Sequence, residues 1–236
     1  MEDRVRNVII PHLIAELCKE GIAGLEEYER RLQDNAGNEE VFRDLLFEAD
    51  AALMFSRHRF KVTIRERPDL RIDRNDEVVY AEVKHFREKE QDRTDEQTMQ
   101  RSAELVPTSI LTPTEGCEAW EQIAKVAIGK VDQYKEDAPN ILVVATDSNS
   151  VDGCILPTAV HIYDKQANGD PRLHRLNAFM LMDQWYLWIN ELSVEKNVYF
   201  CQTAHTKTPM SEGLINALAS IQRWSTPRNI TSIRYR

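Results

Sequence analysis

The stretch that most constrains this chain runs from Arg65 to Phe86 and reads RERPDLRIDRNDEVVYAEVKHF. Arg67 to Asp73 and Val78 to Phe86 both alternate apolar and polar residues, as strands with one buried face do. Leu70 and Ile72 mark the first strand; Val79, Ala81 and Val83 mark the second. The polar residues Arg74-Asn75-Asp76-Glu77 lie between them and favour a short hairpin loop. A turn that pairs Asp73 with Val78 carries the register back to place Asp69 directly across from Glu82. Two carboxylates opposed at roughly 5 Å repel each other unless something neutralises them. A divalent cation between them would do so. Lys84, two residues beyond Glu82, points to the same face.

Composition limits the setting for this pair. The 236 residues are 42% hydrophobic and 29% charged, as in ordinary globular proteins. They are enough for one domain with a substantial core. No apolar run approaches a membrane span, and the Met-Glu-Asp-Arg start lacks the layout of a signal peptide, so a cytoplasmic protein with no membrane partner is expected. Cys18, Cys117, Cys154 and Cys201 form no metal-binding spacing and read as reduced thiols, several of them buried. The net charge of −9 argues against coating nucleic acid by bulk attraction. Basic residues nevertheless crowd near the opening stretch, from Arg57, Arg59 and Lys61 to Arg87, Lys89 and Arg93. They suggest a local phosphate-binding groove, with a solvated charged surface as the alternative for any single residue.

Three helices are expected before the hairpin. The first ends near Gly21, the second covers Ile22 to Gln33, and both read as packing elements without chemistry. The third, Glu39 to Arg57 with Asn38 as N-cap, carries an apolar stripe from Val41 to Leu53. Glu48 projects from that same face. A core-directed carboxylate needs a cation or a partner. The alternative to a metal-assisting role is an arginine from elsewhere in the fold, because no cationic residue stands three or four positions away. Phe60 to Glu66 reads as a first strand. Residues from His85 to about Glu115 read as a long polar loop, Glu118 to Glu136 as a helix, and Ile141 to Ala145 as a buried strand. Further on, the pattern suggests a short strand over Ala159 to Tyr163, a turn at Gly169-Asp170-Pro171, and a helix over Leu176 to Leu192. A strand over Val198 to Thr203 and a last helix from Thr208-Pro209 to about Trp224 complete the expectation.

In this order, helix with Glu48, strand, strand with Pro68-Asp69, strand with Glu82-Val83-Lys84, helix, buried strand, the chain resembles the PD-(D/E)XK nuclease superfamily. The resemblance covers roughly Asn38 to Asp147. It implies an α/β, restriction-endonuclease-like αβββαβ core with a mixed central sheet over residues 38–147, preceded by a helical extension (1–37) and followed by an α/β extension packed on the same domain (148–236). It further implies that Asp69 and Glu82 ligate Mg²⁺, or Mn²⁺ as a substitute, together with the main-chain carbonyl of Val83. Glu48 would reach the metal directly or through water, Lys84 would assist the attacking water, and Gln133 and Tyr134 would support the site. The implied function is a metal-dependent hydrolase of nucleic-acid phosphodiester bonds, with DNA favoured over RNA. Arg65, Arg67, Arg71 and Arg87 are the candidate nucleic-acid contacts, and a second copy of the chain is a candidate partner. The long polar segment after Lys84 and the C-terminal third depart from the better-known members.

Two readings compete with an active nuclease. One is a nuclease-like fold that binds nucleic acid or protein without cutting. The other is an ordinary cross-strand charge cluster in which Arg67 and Arg71 are counter-ions, worth less than about 1 kcal/mol per exposed pair. The remaining candidates are bland: His85 faces the opposite strand surface and reads as structural, the dispersed His161, His174 and His205 define no zinc site, and Trp185, Tyr186 and Trp188 read as core rather than base-stacking residues.

Overall fold

The computed structural model describes residues 2–86, 118–146, 153–184 and 193–227. Its centre is a mixed seven-stranded sheet whose spatial order follows the chain. The strands are β1 (Lys61–Ile64), β2 (Leu70–Arg74), β3 (Glu77–Phe86), β4 (Asn140–Thr146), β5 (Leu176–Gln184), β6 (Ser193–Gln202) and β7 (Arg223–Pro227). β1, β2 and β3 are antiparallel, β3, β4 and β5 run parallel, and β5, β6 and β7 are again antiparallel. The helices are α1 (Glu2–Arg4), followed by a π-helical stretch (Val5–Ile9), α2 (Ile10–Lys19), α3 (Leu25–Asp34), α4 (Glu39–Arg57), α5 (Ala119–Gly129), α6 (Leu156–Ala167) and α7 (Glu212–Ala219). α4 packs on one face of the sheet, over Val62, Ile72, Ala81 and Val143. α5 and α6 pack on the other, over Leu142, Val144, Phe179 and Leu181.

Local chemistry accounts for the first half. Asn38 caps α4 by accepting a hydrogen bond from Val41 N at 3.3 Å, so the helix has the expected bounds. The β2–β3 turn is the tight two-residue kind, because Asn75 and Asp76 both adopt positive φ, 50° and 64°, as asparagine and aspartate tolerate best. Arg74 faces Glu77 and Asp73 faces Val78, the expected register. The outer edge of β1 is covered by the chain before α3: Ala23 N donates to Val62 O and Ile64 N to Ala23 O, which blunts an open strand edge.

The second half corrects several expectations. Residues from Leu176 form strand β5 through Gln184, not a helix. Its apolar run is buried on both faces in the centre of the sheet, and such a run has the same composition as a buried helix. Ala159 to Tyr163 lies inside helix α6, where Leu156, Ala159, Val160 and Tyr163 form one buried stripe. The α5 helix ends at Gly129 and continues as a 3₁₀ turn over Val131–Gln133. The last helix starts later than the proline suggests, at Glu212, because Ser211 supplies the cap. Trp224 belongs to β7. Cys18 and Cys154 are exposed and Cys201 is half-buried, so none of the described cysteines is a core residue. No helix among the described residues is long and apolar enough to cross a membrane. The expected loop after His85 lies almost wholly, and the Trp185, Tyr186 and Trp188 cluster entirely, outside the described residues.

Candidate functional site

The hairpin brings Asp69 and Glu82 together at the point where β2 leaves the ladder. The last pair is Leu70 with Ala81, and one step beyond it Asp69 turns its Oδ2 onto the backbone N–H of Val83 at 2.8 Å. A strand residue exposes its N–H and C=O on the same side, so the Val83 carbonyl also faces Asp69. The Asp69 and Glu82 carboxyl groups are close enough to share a proton. Glu82 is 1% exposed, and its Oε1 has no hydrogen-bond donor among the described residues. A proton shared with Asp69, an ordered water or a cation would satisfy such an atom.

Electrostatics reflect this crowding. Burial, then the neighbouring Asp69 charge, push the Glu82 carboxyl up to about 7, while Lys130 pulls it down. Burial raises Asp69 as well, against the stabilising Val83 N–H. Glu48 arrives from α4 and is pushed up to about 8, first by burial and then by Asp69, with Glu82 adding to the effect. The three carboxyls therefore act as one group of interacting charges.

Each outer carboxylate is also held by a cation. Arg31 on α3 bonds Glu48 Oε2 through Nη2, donates to the Arg65 carbonyl through Nη1 at 2.9 Å, and lies over the Tyr28 ring at 5.5 Å. The arginine partner considered for Glu48 thus exists. It comes from α3, a helix read as a packing element. Its signal in the sequence was one arginine in line with Leu25 and Tyr28 on the apolar face of a helix, with a partner that distance along the chain hides. Lys130, at the C-cap of α5, bonds Glu82 Oε2 at 3.1 Å and Gln133 Oε1 at 2.8 Å. Lys130 too was missed, since it belongs to no motif. Gln133 reaches the pair only through Lys130. Tyr134 is buried in the core with its hydroxyl on the Ala127 carbonyl at 3.2 Å, near enough to Glu82 to be influenced by its charge.

Lys84 lies on the Glu82 side of β3 by strand alternation, but its side chain is 38% exposed with Nζ 3.9 Å from Asp44 of α4. It borders a cavity of about 270 Å³ between β3, β4 and α5, lined also by Phe86, Gln122, Ile123 and Val126. His85 is buried on the opposite face, stacked on Phe47 at 4.2 Å and 3.4 Å from Asp44. Of the candidate nucleic-acid contacts, Arg65 lies over the Tyr80 ring at 5.5 Å, Arg71 is paired with Asp73 at 2.7 Å, Arg67 is exposed, and Arg87 lies outside the described residues. Arg71 and Tyr80 are opposed in the ladder, so this basic surface shares its sheet face with Asp69 and Glu82.

Among the described residues no three histidine, cysteine, aspartate or glutamate side chains are arranged as a metal cage. The donor set still fits Mg²⁺, which is held by one or two carboxylates and keeps several waters. Two opposed carboxylates, a donor-less Glu82 oxygen and a nearby main-chain carbonyl are that kind of partial shell. Comparison of the chain with protein-family models, curated proteins and solved structures found no match.

Proposed function

We propose that the protein is a metal-dependent nuclease that hydrolyses phosphodiester bonds of nucleic acid, DNA in preference to RNA, with a restriction-endonuclease-like core. The observation that carries this reading is the close Asp69–Glu82 pair, with a buried Glu82 oxygen that lacks any donor among the described residues. Asp69, Glu82 and the Val83 carbonyl would hold Mg²⁺ or Mn²⁺, which lowers the pKa of bound water and offsets phosphate charge. Glu48, with one oxygen on Arg31, orients water near the pair. Lys84, whose Nζ lies 3.9 Å from Asp44, is assigned the attacking water on the resemblance alone. Arg65 and Arg71 offer positive charge to the backbone of a bound strand. A second reading, a module that binds nucleic acid without cutting, is favoured by Arg31 and Lys130, which already neutralise two of the three carboxylates.

Cleavage of single- and double-stranded DNA and RNA, with Mg²⁺, Mn²⁺ or chelator, separates the two. Wild-type cleavage should require metal and fall by about 10²-fold or more in Asp69→Ala and Lys84→Ala. Activity indifferent to Asp69→Ala would sink the site. Metal-dependent thermal stabilisation without cleavage of any substrate would leave the binding module.

A further inference from the structure

The geometry points to Lys130 as a second catalytic cation, one that receives a non-bridging oxygen of the substrate phosphodiester; this rests on the nuclease reading above. Its ammonium is aimed by two acceptors, Glu82 Oε2 at 3.1 Å and Gln133 Oε1 at 2.8 Å. An ammonium has three donors. The third has no acceptor among the described residues, and the side chain is 26% exposed while Glu82 is almost fully buried. Lys130 therefore links a buried carboxylate to solvent.

The two oxygens of Glu82 divide the work. Oε2 anchors the lysine, and Oε1 has no donor among the described residues. A phosphate drawn to the carboxylate pair through a metal comes within reach of the free N–H. Lys84 leans instead towards Asp44 on α4, so the two lysines approach the pair from different directions. Gln133 is then a positioning residue that fixes the direction of the Lys130 stem.

The test uses the full chain with Lys130→Met, Lys130→Arg and Gln133→Ala. Melting curves check the fold, calorimetry measures Mn²⁺ affinity, anisotropy of a fluorescent DNA duplex with Ca²⁺ measures binding, and Mg²⁺ supports turnover. Lys130→Met should bind Mn²⁺ at least as tightly as wild type, since no ammonium competes for Glu82. It should nevertheless bind duplex more weakly and lose about 10²-fold in kcat. Lys130→Arg should restore part of the duplex binding, and Gln133→Ala should show a smaller loss in the same direction. A wild type that cleaves, with a folded Lys130→Met that cleaves and binds duplex equally well, overturns the assignment and leaves the nuclease reading standing. If Lys130→Met fails to fold, unchanged cleavage and duplex binding in Lys130→Arg and Gln133→Ala overturn it. A wild type that neither binds Mn²⁺ nor cleaves removes both.

Discussion

At the scale of single residues, the site is a concentration of carboxyl groups that water would have separated. Glu82 and Glu48 titrate near 7 and 8 in the folded chain against about 4.5 when unfolded, with burial the leading cause in both. The folded chain therefore binds more protons than the unfolded chain between those values. Its share of stability is fully present below about pH 4.5 and lost as the pH rises through 7 and 8. Moving the titration of one isolated group by a single pH step corresponds to about 1.4 kcal/mol. With chelator present, the melting temperature should fall between pH 5 and 9. Glu82→Gln should flatten that fall, and a wild-type profile already flat across the window would contradict the crowding. Mn²⁺ should restore wild-type stability at pH 8 and do nothing for Asp69→Ala.

Single elements deliver these residues to one place. α3 is placed by Gly24, whose φ of 80° and position against β1 leave no room for a side chain. A Cβ there would lie 2.0 Å from Ile64 O. Gly24→Ala must therefore shift the chain off the β1 edge and with it Arg31, two turns further along α3. A loss of more than about 1 kcal/mol is expected from the backbone conformation alone, before the clash is counted. That lowers the melting temperature by at least about 2–4 °C. Glu48 should then respond too, so the fall of stability with pH should become steeper in Gly24→Ala than in wild type. An unchanged melting temperature would show that this edge contact does not place α3.

Over the whole molecule, the C-terminal strands are fastened to the helix that carries Glu48. Asp50 and Lys196 are each 1% exposed and bonded at 2.6 Å, and Asp50 also accepts from Trp224 Nε1 at 2.7 Å. The Lys196 ammonium lies 5.0 Å from the Phe47 ring centre. Removing one partner of a buried pair leaves an uncompensated charge, which costs about 3–5 kcal/mol. Asp50→Ala should therefore destabilise the chain by that amount, measured by denaturant unfolding. Lys196→Met combined with Asp50→Leu should recover much of the loss, because no charge is then stranded. If the double variant is as unstable as Asp50→Ala, the pair matters for more than its charge balance.

Short-range signals were legible where neighbours in sequence are neighbours in space. The Asn38 cap, the short hairpin loop, the Asp73–Val78 register and hence the approach of Asp69 to Glu82 all follow from local chemistry within a few turns or one hairpin. The middle and C-terminal strands were not, because an apolar run such as Leu176 to Met182 carries no periodicity to separate a strand from a buried helix. Nor were the counter-ions. Arg31, Lys130 and Lys196 reach Glu48, Glu82 and Asp50 across 17, 48 and 146 residues. By itself the sequence determined which carboxylates face each other. Which cations hold them, and which end of the chain supports them, only tertiary packing decided, since burial makes a distant partner obligatory without naming it.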